Sequence, residues 1–191
     1  MELIAVGEEG ALDRATAALD GGELIIVPGD ERYLLVGDAL DDDAVERVMR
    51  ALGRGADDPP VVLVGGYEDL HHVAYASALA GGLSAREWPG PTVLVLKARP
   101  WLPDAMTGAT DAVRVSAPRA ALARELARRF GPIAAAAIGD AKAAAAARAQ
   151  VGSHAALVVD GGALPGGRSL VVDARGSEAK VIREGTSARA R

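Results

Sequence analysis

Short aliphatic runs alternate along this chain with stretches in which apolar residues recur every three or four positions. Leu12, Ala15 and Leu19 fall on one helical face, closed by Gly21-Gly22. Leu24 to Val27 is a continuous aliphatic run stopped by Pro28-Gly29, the pattern of a strand buried on both faces, and Tyr33 to Val36 predicts a second. Asp41 to Asp43 then precede Val45, Val48, Met49 and Leu52, whose i, i+3, i+4, i+7 spacing predicts an amphipathic helix ending at Gly53. Val61 to Val64 is a third strand. Leu70, Val73, Ala74 and Ala78 share one face of a predicted helix ending at Gly81-Gly82.

Strands are predicted at Val93 to Leu96 and Ala112 to Val115, and a helix through Leu122 and Leu126 ends at Gly131-Pro132. Ile133 to Gly139 reads as a loop without reactive side chains, and Ala143 to Ala149 as a helix of high propensity. Ala156 to Val159, Leu170 to Val172 and Val181 to Arg183 complete the strands. The order is mixed α/β, without a repeat or a linker long enough to divide the chain.

Composition narrows the chemistry. The 191 residues are half hydrophobic but only 3% aromatic, so the core is built from small and aliphatic side chains. A net charge of −5 argues against a general nucleic-acid coat and leaves room for a local arginine-lined pocket. The absence of cysteine excludes disulfides and thiolate chemistry. No apolar run approaches the roughly 18 residues of a membrane span, and the N-terminus lacks a positive leader, so a soluble, cytoplasmic protein is expected.

Four local patterns read better as structure than as chemistry. Gly162 to Ser169 spells G-x-x-x-x-G-R-S, close to a phosphate loop, but it opens the strand-like "SLVVDA" rather than a helix. Adjacent His71 and His72 on a helix point about 100° apart, poorly placed to share a metal, and no metal site is expected. Asp41 to Asp43 cap a helix more readily than they bind a cation. Trp88-Pro89-Gly90-Pro91 is a rigid turn feeding a strand.

In order along the chain, several segments resemble the YrdC/YciO family, best known for threonylcarbamoyl-AMP synthases. "VPGDERYLLVGDA" resembles the family's P-T-D-T-x-Y-G-L, "LGRGADDPPVVLV" its K-x-R loop and following strand, and "WPGPTVLVL" its W-P-G-P-L-T-L-x-L. "AVRVSAP" is similar to V-x-R-x-P, "GPIAAAAIGDA" falls where the family carries S-A-N-x-S-G, "VVDGGALPGGRSLVVD" resembles D-G-G…S-T-V-V-D, and "VIREG" resembles I-x-R-x-G. The resemblance implies one YrdC-like domain over 1–185, with a twisted mixed sheet and a concave cavity flanked by helices, and a loose tail at 186–191.

The family's synthases combine ATP, bicarbonate and threonine into threonylcarbamoyl-AMP for tRNA modification, which implies ATP with Mg2+, and a nucleotide or small carboxylate as ligand. By resemblance the binding residues are Asp30, Glu31, Tyr33, Arg54, Arg114, Ser169 and Arg183, with no catalytic residue assigned. The motifs also depart from the pattern. Glu31 stands for a threonine, Leu52 for the lysine of K-x-R, and, aligned through Gly139, Ala134 and Ala136 stand for Ser and Asn. A divergent enzyme with impaired or altered catalysis is therefore expected, and Glu31 is expected to face Arg54 or Arg114 as an internal counter-ion. A non-catalytic nucleotide- or partner-binding relative is the alternative, and an RNA-binding module is disfavoured by charge.

Overall fold

In the computed structural model, which describes residues 1–186, the alternation of runs becomes one twisted mixed sheet with helices on both faces. The strands are β1 (Glu2–Ala5), β2 (Ile25–Pro28), β3 (Tyr33–Asp38), β4 (Val61–Leu63), β5 (Ala74–Tyr75), β6 (Thr92–Ala98), β7 (Ala112–Ser116), β8 (Ile133–Ala137), β9 (Leu157–Asp160), β10 (Leu170–Asp173) and β11 (Lys180–Arg183). The helices are α1 (Ala11–Asp20), α2 (Asp42–Ala51), α3 (Ala78–Glu87), α4 (Asp104–Thr107), α5 (Ala121–Phe130) and α6 (Ala144–Val151). Strand order is β1-β9-β2-β3-β8-β4-β7-β6-β10-β11, with β5 added beside β6.

Side-chain alternation divides the core into two faces. On the front face, Ile25, Val27, Val36, Leu63, Ile133 and Ala135 pack against α1 through Ala15 and Leu19 and against α5 through Leu122 and Leu126. On the back face, Leu24, Ile26, Leu35 and Val158 meet Ala44 and Val48 of α2 and Ala144 and Ala147 of α6, where alanines let helix and sheet approach closely. Farther along, Val62, Leu94, Leu96 and Val115 meet Ala80 and Leu83 of α3 and Met106 of α4. Front-facing Val93, Val95 and Val171 instead form a small cluster of their own, with only Val61 and Ala112 packed against it. The helical cover stops there, and the sheet is open.

Asp41 caps α2 as its position predicts, its carboxylate accepting from the Asp43 amide at 3.0 Å. The glycine-rich segment after β9 leads directly into β10 without a helix.

Two expectations are corrected. The alanine run 133–137 is not a loop but the central strand β8, paired antiparallel with β3 and β4. Alanine has little strand preference of its own. Here the flanking strands supply the hydrogen-bonding partners, and small side chains let both layers close over it.

The helix expected through Leu70 to Ala78 is a 3-10 helix (Tyr67–His72) followed by β5, and α3 runs on through Gly81-Gly82. Leu70, Val73 and Ala74 point into one back-face cluster and so imitate a helical stripe, while Ala78, expected on the same face, is exposed. A Cβ at Gly81 would sit 3.1 Å from the Tyr67 hydroxyl, so a larger residue there needs that side chain to shift by a few tenths of an ångström. Thr186, expected in the loose tail, exchanges two hydrogen bonds with Arg168 at 2.9 Å each, and residues 187–191 lie outside the described residues.

Candidate functional site

The open front face is the floor of a cavity of about 650 Å3, within the size range of small-molecule sites. Leu34, Val61, Val93, Val95, Ala135 and Val171 line it below, and its rim carries Asp30, Glu31, Arg32, Arg54, Asp58, Arg114, Arg168, Ser169 and Arg183. Five arginines face three carboxylates, an excess of two positive charges in a chain whose net charge is −5. Such a pocket attracts anions.

One wall is the β2–β3 turn. Gly29 closes it, its amide donating to Arg32 O at 3.0 Å, and a Cβ there would meet that oxygen at 2.8 Å. The Asp30 carboxylate accepts from the backbone amides of Arg119 (3.0 Å) and Ala120 (2.6 Å). It thereby caps α5, whose own cap residue, Ala120, has no side chain able to do so. The Glu31 carbonyl accepts from the Gly166 amide, and its Oε2 accepts from Ser169 Oγ at 3.0 Å. Its Oε1 is buried without a hydrogen-bond partner. Burial pushes the Glu31 carboxyl above the usual carboxylate range, opposed by the Ser169 hydrogen bond.

The opposite wall is cationic. Arg54, just past α2, meets Asp58 Oδ2 at 2.9 Å and donates to Ala137 O at 3.2 Å. Arg114, on β7, meets the other oxygen of Asp58 at 2.9 Å and donates to Pro59 O. Asp58 is thus the shared counter-ion of both arginines, the place expected for Glu31. The Arg54 half is a local i,i+4 pair, whereas the Arg114 half is invisible in the sequence, where Asp58 and Arg114 lie 56 positions apart. Arg183 reaches in from β11, its Nε 3.4 Å from Ser169 O. Burial and the like charge of Arg114 hold its pKa below the ordinary arginine value.

The structure therefore brings together six of the seven residues singled out by sequence, namely Asp30, Glu31, Arg54, Arg114, Ser169 and Arg183. Tyr33 is set apart. It is fully buried, its hydroxyl accepts from the Gly161 amide at 2.9 Å, and it lies 2.8 Å from Gly162 O and 3.0 Å from Asp160 Oδ1. It anchors the start of the glycine-rich loop whose far end, Gly167 to Ser169, lines the cavity.

Two motif departures also look different in space. Leu52 packs against the back-face core and does not line the cavity. Ala134 and Ala136, aligned with Ser and Asn, pack their side chains in back-face clusters, although Ala136, unlike Ala134, also borders the cavity. The alternation of β8 turns Ala135 and Ala137 toward the cavity instead. Among the described residues no group of three or more His, Asp or Glu is placed to hold a metal ion. No helix among them is long and apolar enough to cross a membrane.

The geometry is that of a mixed α/β domain with an arginine-rimmed cavity on an open sheet face. The family can be stated. The Sua5/YciO/YrdC family model, described as "Telomere recombination", matches residues 17–185, and the chain belongs to that family. A Mycobacterium tuberculosis protein with the provisional name threonylcarbamoyl-AMP synthase is 33% identical over 181 residues, covering 90% of this chain and 82% of that protein. The structure of Pyrococcus abyssi Sua5 complexed with L-threonine superposes with a TM-score of 0.88 at 30% identity, covering 96% of this chain. This chain spans 57% of the Sua5 chain. Escherichia coli YciO shares the fold at a TM-score of 0.85 and 18% identity, covering 98% of this chain and 95% of its own.

Proposed function

We propose that this chain is a divergent, cytoplasmic threonylcarbamoyl-AMP synthase-like nucleotidyltransferase in the tRNA threonylcarbamoyladenosine pathway, slower or altered in substrate relative to intact members. In the reaction, an amino-acid amine condenses with bicarbonate, losing water, to give a carbamate. A carbamate oxygen then attacks the α-phosphorus of ATP, and pyrophosphate leaves with the electrons of the broken P–O bond. Little of this needs covalent help from the protein. It needs alignment and cations placed where negative charge gathers.

The convergence of Arg54, Arg114 and Arg183 on one cavity is the observation that carries this reading. Their guanidinium groups are the phosphate- and carboxylate-directed donors, with forks suited to both anions. Asp58 holds Arg54 and Arg114 in place without ligand and has to give them up to an anion. Glu31 and Ser169 form the polar wall on the amino-acid side, while Asp30 and Tyr33 brace it from behind. Mg2+ would arrive on the nucleotide, held chiefly by phosphate oxygens and water. The relative crystallised with L-threonine supports a small carboxylate as the second ligand.

Slower turnover follows from the wall rather than from β8. A carboxylate at position 31 repels an incoming carboxylate, and one lost transition-state donor costs roughly 100- to 1,000-fold in rate. Pyrophosphate release with ATP, bicarbonate and threonine should fall at least 100-fold below that of an intact member, while calorimetry detects ATP binding. ATP binding with no turnover under any condition would favour the non-catalytic alternative. Full-speed, threonine-dependent turnover would refute the impairment.

A further inference from the structure

A second cavity, of about 410 Å3, lies across the wall that bounds the first. Two neighbouring segments make that wall. Pro91, Ser116 and Pro118 face the first cavity, while Pro89 and Ala117 face the second. The Gly90 amide donates to Ala117 O at 3.0 Å and Ser116 Oγ donates to Thr92 O at 3.0 Å, tying the two segments together. A volume of this size lies in the range of small-molecule sites.

The lining of this second cavity carries charges left unmatched within the protein. Glu68 folds over Gly66, where a Cβ would sit 2.6 Å from either carboxylate oxygen, and that carboxylate has no hydrogen bond or ion pair among the described residues. Next to it in sequence, Asp69 Oδ2 is buried with no partner. Arg124 donates through one terminal nitrogen to Pro118 O at 3.2 Å and Arg119 O at 3.3 Å. It meets no carboxylate among the described residues, so its Nε and second terminal nitrogen remain available. Arg128 is already paired with Glu125 at 2.9 Å. Glu68 and Arg124 therefore line one cavity as an unmatched anion and an unmatched cation that do not meet each other. The apolar part of the lining is the half-exposed Tyr67 ring with Trp88 and Pro89, and Trp88 is fixed by Nε1, which donates to Thr92 O at 2.7 Å.

We propose that this second cavity binds a free α-amino acid with an aromatic side chain. Such a molecule is a zwitterion. Its ammonium meets the Glu68 carboxylate, its carboxylate meets the Arg124 guanidinium, and its ring packs on Tyr67, Trp88 and Pro89. A simple anion would gain from Arg124 and be repelled by Glu68, and a simple cation would meet the reverse. Only a ligand carrying both charges satisfies both groups at once. The unpartnered oxygen of Asp69 adds to the pull on the ammonium. The two cavities share a wall but no lining residue, so both can be filled together. The second site stands independently of the chemistry assigned to the first.

Calorimetric titration of the whole chain with L-phenylalanine tests it. Saturable binding at one site per chain is expected. L-phenylalaninamide, which lacks the carboxylate, and N-acetyl-L-phenylalanine, which lacks the ammonium, should each bind about tenfold more weakly or worse. Glu68→Gln should weaken phenylalanine binding by a similar factor with Tm near the parent's, since that side chain is exposed and unpaired. Arg114→Ala removes a cation from the first cavity and tells the two sites apart: phenylalanine affinity should stay within about twofold. No saturable binding overturns the proposal. So does an affinity unmoved by Glu68→Gln, an amide that binds as well as the amino acid, or a tenfold loss in Arg114→Ala, which would put the ligand in the first cavity.

Discussion

Removing the Asp30 carboxylate should cost stability before it costs binding. Its two oxygens accept from the amides of Arg119 and Ala120, at 3.0 and 2.6 Å, where α5 has four orphan N–H groups and no cap side chain of its own. Hydrogen bonds to a charged group contribute about 1.5–3 kcal/mol each, and loss of a helix cap costs about 0.5–2 kcal/mol. The two bonds share one carboxylate and lie partly at the surface, so they do not add fully. About 2 kcal/mol is the expected loss for Asp30→Ala. For a chain of this size that corresponds to a fall in Tm of about 4–8 °C. Asp30→Asn keeps one acceptor and should lose about half as much. Urea unfolding at equilibrium is the assay, with an unchanged m-value showing that stability alone has moved. A loss under about 0.5 kcal/mol with ATP affinity down tenfold would refute the bracing role and make Asp30 a ligand.

Glu31 predicts a pH dependence with a definite sign. Its folded pKa lies above the unfolded value, so the native state holds the proton more tightly and this group's contribution to stability falls as pH rises through the folded pKa. Glu31→Gln should therefore raise Tm at pH 7–8, with the gain vanishing below about pH 4.5, and a stabilising effect that persists in acid would contradict it. Asp58→Ala should change stability by less than about 1 kcal/mol, because the pair is half-exposed. The same substitution should tighten ATP binding several-fold, since Arg54 and Arg114 lose a competing anion; weaker binding in calorimetry would make Asp58 a positioning residue instead.

Much of the sheet was legible because β2, β6 and β9 are aliphatic runs that only a two-sided burial explains. Strand β8 was not, since five residues of Ile and Ala carry neither alternation nor β-branching beyond Ile133, and only their neighbours make them a strand. The edge strand β5 was hidden for the opposite reason, because Val73 and Ala74 completed a false helical period. In the site, the arginines could be found from motif resemblance, but who faces whom could not. Asp58 lies only four residues from Arg54 but meets Arg114 through chain reversal over more than fifty residues, while Glu31 turned to Ser169. The motif alignment also hid the pleat, which packs the Ala134 and Ala136 side chains into the back-face core and leaves only Ala136 of the two bordering the cavity.

Calorimetric titration of ATP into the parent chain, Arg114→Ala and Arg183→Ala tests the central claim most directly, which is that the arginine-rimmed cavity holds a nucleotide. The parent should bind one ATP per chain, and each substitution should weaken that binding about tenfold or more, as expected when a charge-assisted hydrogen bond to phosphate is lost. An ATP affinity that is absent in the parent, or unmoved by both substitutions, would contradict it.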